Sequence, residues 1–564
     1  MFRPAREPQS KRHVRSSYFV VGEGVLGDNR ADEAAVRPAA ASTLEALRKF
    51  QFSRLGPQAK PDRQLDRAAR AELAQAMTDP AAAQPDSGNP RVPAGFTYLG
   101  QFVDHDLTLD ATSAQLEDDV TVKQLLQGRS PALDLDSLYG LGPDHRFDQR
   151  FYEPDGIHLK TGTTQGIPAA ADITGQPLAG FDLPRVGVGS LKSERRRPLI
   201  PDPRNDENLV VAQIHCAFLR FHNRLATELA DKGVSSAVLF ESAREAVVKH
   251  YQWMLRTDFL PRIVDETIVE EVFTKGRKVV DPSPHDQDFP TMPIEFSVAA
   301  YRLGHSMVRG AYNWNRVFDN GRGTLPLLFR FTGTSGILSP PPDDPDNPEA
   351  GAFEHLPTNW IADFRRLFDF REAGRDDLGV TDAQFNVAKR IDTLLVNPLA
   401  ELPLGSFGGR GSAPDEIERN LAFRNLTRAT MLRLASGQQM AKHLMGRGVG
   451  VKPLSASDFD NRDGAQLSDA LRKKLAVDCP LWFYVLREAE VNGGGRLTGV
   501  GGRIVAEVFH RAMEGSRHSI VRDPFWRPFL SPVDERRDKG VFQMTDLLLY
   551  AFEGRAELLN PLGS

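Results

Sequence analysis

The chain has 564 residues, 40% apolar and 26% charged, the texture of an ordinary globular protein, which excludes disordered, collagen-like and coiled-coil chains. Lys+Arg 70 against Asp+Glu 75 leave a net charge of -5, too mild for a nucleic-acid footprint. Two cysteines, Cys216 and Cys479, exclude a disulfide scaffold and a four-thiolate zinc site.

At about 150 residues per domain the length alone accommodates three or four domains. No run approaches the roughly 18 apolar residues that span a bilayer. The start, MFRPAREPQSKRHVRSSYFVVGEGVLG, is basic, but its longest apolar piece, Tyr18 to Val21, is too short for a signal peptide. The expected compartment is the cytoplasm, with non-classical secretion as the alternative.

In chain order, the sequence predicts helices around 41–52 and 66–77, then a loop in PAAAQPDSGNPRVPAG. Long helical patterns follow from about Phe96. The clearest runs from Glu207 to Lys232, where Leu209, Ala212, Cys216, Leu219 and Leu225 recur at three- and four-residue steps and Gly233 ends it. Further helices are predicted over 237–255, 298–307, 421–445 and 503–513, and over 467–475 and 481–489 with Pro480 between them. Strands are expected only at 325–331 and 187–191. Thr161 to Arg197 reads as a Gly-punctuated loop, and Ser339 to Gly351 as a Pro-rich surface excursion.

Four segments carry chemistry. In YLGQFVDHDLTLD, Gln101, Asp104, His105, Asp106 and Asp110 interrupt what would otherwise be a buried helix. Burying that many ionisable groups costs several kcal/mol unless each has a partner, a metal or a cofactor; the plain alternative is a helix with a wet face. One turn separates Gln101 from Asp104 and His105, so all three project into one pocket. In PDPRNDENL, Asp202, Arg204, Asp206, Glu207 and Asn208 crowd a helix start. Capping explains the carboxylates but not Arg204, whose cation opposes the dipole. His215 and His222 lie about 10 Å apart along that helix, too far for one metal, and read as packing or hydrogen-bonding residues.

In AAYRLGHSMVRG, His305 alone reads as a satisfied core histidine, but Gly304 beside it lets a large flat group approach the backbone. FRNLTRATM sets Arg424, Asn425 and Arg428 near a helix start. GGGRLTGVGGRIV looks like a phosphate loop, yet a helical pattern precedes it and Ile504 stands where the third glycine belongs, so dinucleotide binding is not expected.

Taken together, GQFVDHD, R-x-x-E-N ahead of a helix carrying LRFHNR, YRLGH and RNLTR resemble the animal-type haem peroxidases of the peroxidase–cyclooxygenase superfamily, over about residues 95–552. RLASGQQMA and PLWFYVLREAE look most like bacterial members. The resemblance implies a mainly α fold: a single large helical haem-peroxidase domain with long loops and very little β over 86–560. A partly helical, partly irregular N-terminal extension would occupy 1–85.

The resemblance also implies haem b. His105 matches the distal histidine, Gln101 the glutamine that holds distal water or halide, and Arg204 the distal arginine. His305 matches the proximal iron ligand and Asn425 its hydrogen-bond partner, with Arg302 and Arg428 near the propionates. Asp104 and Glu207 match the carboxylates that esterify haem in some members. Asn208 stands where one member has a haem-bonded methionine, so no sulfonium link is expected. A Ca²⁺ site is implied from Asp106, Ser130, the Ala132 carbonyl, Asp134 and Asp136; Ser130 replaces a threonine and Asp136 a serine, the latter adding charge.

The implied function is oxidation of small aromatic donors (phenols) or halides by hydrogen peroxide through a ferryl intermediate. An imidazole that titrates near neutrality suits proton transfer, and a permanent guanidinium suits the leaving oxygen. A neutral amide partner leaves His305 a modest electron donor. One alternative is a fatty-acid dioxygenase, whose tyrosine three residues before the proximal histidine is Arg302 here, with Tyr301 one position off. The other is a non-catalytic haem- or calcium-binding protein, against which the intact distal and proximal sets argue. A monomer or small homo-oligomer is expected, and site residues at 101, 204, 305 and 425 require most of the chain to fold as one body.

Overall fold

Apolar residues at helical spacing, with polar side chains poised at the first free N–H groups, set where several of the helices begin. The computed structural model describes residues 50–82, 89–110, 116–282, 290–330, 332, 353–402 and 415–564. Most of the helix expected over 41–52 and the excursion at 339–351 fall outside these residues. Helix α1 (Arg67–Met77) is capped by Asp66 and is followed by α2 (Gly95–Leu107). Next come α3 (Leu209–Asp231), capped by Asn208, α4 (Ser236–Met254) and α5 (Glu266–Lys275), capped by Asp265. The short α6 (Gly304–Met307) precedes α7 (Leu421–Met431), capped by Asn420, and α8 (Gly437–Gly446), capped by Ser436. The chain continues with α9 (Asp469–Val477), α10 (Leu481–Asn492), α11 (Gly499–Gly515) and α12 (Met544–Ala551).

Extended structure among the described residues amounts to three two-stranded pairs. Phe52–Ser53 runs parallel to Met292–Pro293, while Gly162–Thr163 with Ala179–Asp182 and Ala311–Tyr312 with Gly323–Thr324 are antiparallel. The fold is mainly α, as expected.

Four local expectations change. Leu325–Arg330 is a helix, not a strand; Pro326 suits a first helical turn, and so short an apolar run has no period of its own. Gly187–Leu191 forms no strand: Gly187 and Gly189 take φ of 68° and 136°, and the strands of this loop lie at Gly162–Thr163 and Ala179–Asp182. The helix expected over 421–445 divides in two, because Arg433 adopts φ 49° and Ser436 with Gln439 forms a capping box that starts α8. The segment 298–307 is a 3-10 turn, Ala300–Leu303, running into α6.

Helix α2 is held from several sides. Phe102 stacks on Phe218 of α3 with centroids 4.7 Å apart and planes 9° apart. A Cβ at Gly95 would lie 2.2 Å from the Phe368 ring and one at Gly100 3.2 Å from Phe259, so both glycines let aromatic rings close on the helix. Phe259 ends a π-helical turn, Leu255–Phe259, that continues α4. The backbone N–H groups of Ala94 and Gly95 donate to Asn386 and Leu367 carbonyls, replacing a side-chain cap. From residue 50 onward the N-terminal segment packs into the body: Arg70 Nε of α1 donates to Thr427 Oγ1 of α7 at 3.2 Å.

Buried Glu488 joins α10 to α11 by accepting the N–H groups of Val500 and Gly501, each at 3.1 Å. Burial outweighs those two donors and pushes its carboxyl up to about 8. A carboxyl raised on folding stabilises while protonated, fully below its unfolded value and less as pH passes its folded value. Unfolding free energy is therefore expected to decline as pH rises through about 8. The Glu488→Gln variant, less stable at pH 6, should show a flatter profile in urea titrations; parallel profiles would refute the assignment.

Candidate active site

The distal group is built where α2 meets the 3-10 turn Pro203–Asp206 that leads into α3. Asp202 caps that turn through Arg204 N and grips the Arg204 guanidinium twice, at 3.0 and 2.7 Å. On its other side Arg129 Nε donates to Asp202 at 2.8 Å. Burial alone would raise the Asp202 carboxyl, but the Arg129 and Arg204 cations hold it well below the usual range. Arg204 Nη2 then donates to the His105 carbonyl at 3.0 Å, which fastens the turn to α2. Asp206 pairs with Arg185 at 2.5 Å, and Asn208 is the cap of α3.

The His105 ring is buried, and its Nδ1 lies 2.9 Å from Asn205 Oδ1. An amide oxygen can only accept, so the proton sits on Nδ1 and Nε2 keeps its lone pair. Gln101 Nε2 donates to Glu207 Oε1 and Gln101 Oε1 accepts from Asn208 Nδ2 at 2.7 Å. Glu207 Oε1 is 3.5 Å from His105 Nε2, while Glu207 Oε2 has no hydrogen-bond partner among the described residues. Asn205 was not singled out from the sequence, where it disappears into a polar helix start; its partner lies 100 positions away.

On the proximal side, α6 presents His305 and α7 brings the Asn425 amide to 2.8 Å from its Nδ1. In the recorded orientation Nδ2 faces the ring; a half-turn of the amide presents Oδ1 as acceptor for Nδ1–H and frees Nε2 for a metal. Burial, reinforced by Arg302, lowers the His305 imidazole to about 3, so it is neutral at ordinary pH. The Trp482 indole of α10 stands edge-on to it, centroids 6.3 Å apart. A Cβ added at Gly304 would meet nothing within 4 Å, so the backbone beside His305 borders open space.

Two cavities meet here. One of about 710 Å³ is lined by Gln101 and Asp104 of α2, by Gly304 and His305 of α6, and by apolar Phe259 and Phe329. The other, about 700 Å³, is lined by His105, Arg204, Arg424, Asn425 and Arg428. Asp104 and Arg302 border both. Arg428 is ion-paired with Asp110, and Arg302 Nε donates to the Ser297 carbonyl at 2.8 Å. The structure thus gathers Gln101, Asp104, His105, Arg204, Arg302, His305, Asn425 and Arg428 around one cavity system, with Glu207 a hydrogen bond away.

The acidic loop lies on the other side of α2. Asp106 is fully buried and accepts from Leu135 N, Ser137 N and Tyr251 OH. Burial, then the neighbouring Asp136, raises its carboxyl, and burial lifts Asp136 to about 6. Asp136 Oδ2 accepts from Ser130 N at 3.0 Å, while its Oδ1 has no hydrogen-bond partner among the described residues. Asp134 turns instead to the Ser516 hydroxyl, and Ala132 N donates to Ser130 Oγ at 3.3 Å. As the side chains stand, no group of three or more His, Cys, Asp or Glu among the described residues is placed to hold a metal ion.

Residues 123–331 match the family model described as animal haem peroxidase, a span that holds Arg204, Glu207, Arg302 and His305. Over that stretch the chain resembles the family. A peroxidase-like protein of Margaritifera margaritifera is 26% identical over 274 residues, covering 41% of this chain and 33% of that protein. Chorion peroxidase of Drosophila melanogaster is 30% identical over 118 residues, 20% of this chain and 14% of its own. These matches span a third or less of the relatives' length.

Peroxidase A from Dictyostelium discoideum superposes over 96% of this chain and 99% of its own, with TM-score 0.54 at 15% identity. The fatty acid alpha-dioxygenase of Arabidopsis thaliana does so over 92% and 77%, with TM-score 0.52 at 12% identity. At such identities the likeness is one of fold.

The matched family takes its description from haem, and the residues fit that group. The neutral His305 imidazole beside open backbone would hold the iron, the apolar cavity would take the group's hydrophobic surface, and the cationic cavity would take its carboxylates. His105, Arg204, Asn425 and Arg428 lie in or beside the cavities, although His105, Asn425 and Arg428 fall outside the matched span.

Proposed function

We propose that the chain is a haem-dependent peroxidase that reduces hydrogen peroxide to water while oxidising small aromatic donors or halides. One observation carries the reading: a buried His105 with its Nδ1 proton committed to Asn205 stands beside a doubly paired Arg204, in the cavity system that also contains a neutral His305. Bound there through His305 Nε2, haem supplies the iron at which the O–O bond is cleaved and the oxidising equivalents are held.

His105 Nε2 takes a proton from peroxide and returns it to the departing oxygen. Guanidinium groups are permanent cations, and Asp202 aims that of Arg204, so its charge stabilises the negative charge that develops on that oxygen. Gln101, oriented by Glu207 and Asn208, holds water or halide between them. Asn425 is neutral and leaves the His305 imidazole a modest donor. Arg302 and Arg428 offer charge to the propionates, Arg428 by exchanging its partner Asp110.

Replacing His105 by Ala should slow the peroxide-dependent absorbance change by 10²–10⁴-fold with haem still bound, the usual contribution of a positioned base. Replacing His305 should instead cost haem occupancy. A near-normal rate in the His105 variant would remove the base assignment. A regiospecific hydroperoxide formed from polyunsaturated fatty acid and O₂ without added peroxide would favour the dioxygenase alternative, whose tyrosine is displaced here to Tyr301.

The finer features are also proposals. Asp104, on the wall of both cavities, and Glu207, with a buried oxygen to spare, are candidates for ester bonds to haem. Acid-acetone should then leave haem on the protein, and clean extraction would refute the linkage. Ca²⁺ is proposed at Asp106 and Asp136 with Ser130, the Ala132 carbonyl and Asp134. The support is the shared negative charge and the unpartnered Asp136 Oδ1. Chelation by EGTA should lower the thermal midpoint by several degrees, with recovery on adding Ca²⁺; an unchanged midpoint would count against the site.

A further inference from the structure

Asn205 does not end at His105. Its Nδ2 donates to Nδ1 of His215, a residue of α3, at 2.9 Å, so one amide joins two imidazoles. All three residues are buried. An amide has one accepting and one donating end, and this imposes a rule on the trio. With Oδ1 toward His105, that ring carries its proton on Nδ1 and His215 Nδ1 must be bare. A half-turn of the amide reverses both bonds together, moving the His105 proton to Nε2 and blocking the nitrogen that faces the cavity. The state of His215 therefore selects the tautomer of His105.

Two other buried histidines, His222 and His250, behave differently. His222 uses both nitrogens, on Tyr139 OH and the Ile157 carbonyl, and His250 uses both, on the Ala246 carbonyl and the N–H groups of Phe529 and Leu530. His215 has only Asn205, and its Nε2 has no hydrogen-bond partner among the described residues. A histidine kept for packing gains nothing from a buried nitrogen without a partner. Its ring is fixed edge-on against Phe102 of α2, centroids 5.8 Å apart, the same helix that carries His105. Burial also lowers its imidazole to about 3, so the ring is neutral and has one nitrogen able to accept, which the Asn205 Nδ2 donor places at Nδ1.

We propose that His215, acting through Asn205, is a positioning residue that keeps the cavity-facing Nε2 of His105 free of its proton and so ready to act as base. The proposal rests on the peroxidase reading for its consequence, but the hydrogen-bond relay itself can be observed without turnover.

The test compares His215→Phe, which keeps an aromatic ring on Phe102 and removes the acceptor, with His215→Asn, whose Oδ1 can replace the lost nitrogen. Long-range ¹⁵N–¹H spectra of the histidine-labelled, haem-loaded chain in its diamagnetic ferrous carbonyl form report the tautomer, with His105→Ala assigning the signal. The native chain should show His105 protonated on Nδ1. His215→Phe should give a mixture containing Nε2–H and a peroxide association rate about tenfold lower, and His215→Asn should restore both.

If His215→Phe is too unstable to study, Asn205→Leu must release the tautomer in the same way. An unchanged tautomer and rate in His215→Phe would overturn the relay, and so would a native His105 already protonated on Nε2. A native chain with the expected tautomer but no reaction with peroxide would leave the relay standing and overturn the peroxidase reading instead.

Discussion

One buried carboxylate with two guanidiniums organises the distal half of this protein. Taking Asp202, Arg204 and Arg129 out of water would be prohibitive singly, and as a group they are tolerable because every charge faces an opposite one at hydrogen-bond distance. The arrangement does more than neutralise. Arg204 is left with a donor for the His105 carbonyl, so a turn that begins at residue 203 is fastened to a helix that ends at residue 107. Asn205 and Asn208 ride on the same short stretch, and their contacts to His105 and Gln101 follow from where Asp202 holds it.

The proximal half uses the opposite strategy. Around His305 the partners are uncharged: an amide on α7, an indole on α10 and open backbone at Gly304. The difference suits the division of labour. Under the proposed chemistry a group that moves protons and meets developing charge would benefit from fixed ions, whereas a nitrogen holding iron would need to remain a neutral donor. Charge collects again at the cationic cavity, where Asp110 and Ser297 occupy Arg428 and Arg302.

The fold alone does not choose between chemistries. A peroxidase and a fatty acid alpha-dioxygenase superpose on this chain about equally well, with TM-scores of 0.54 and 0.52. The discrimination lies in a few side chains on α2, in the turn before α3 and around α6, which is where a shared scaffold differentiates. The aromatic clasp on α2, with Phe368 and Phe259 closing over two glycines, makes that helix a rigid base for such differences.

Sequence reasoning reached the helices best where the period is bounded by a helix breaker, as at α3 before Gly233 and α10 after Pro480, and failed where a short apolar run has no period, as at Leu325–Arg330. It expected Gln101, Asp104 and His105 to share one pocket, whereas Asp104 borders both cavities with Gln101 on one and His105 on the other; it also read Arg204 as out of place in a helix cap. The motifs and their order by themselves set the resemblance to the animal haem peroxidases and the mainly helical class. Only the tertiary structure decided that Asn205 sits between His105 and His215, that Asp202 has two cations, and that Arg428 meets Asp110. Spacing along one helix is local geometry and is written in the sequence. Hydrogen bonds between segments a hundred or more residues apart depend on how the helices pack, and burial makes each of them obligatory only once that packing exists.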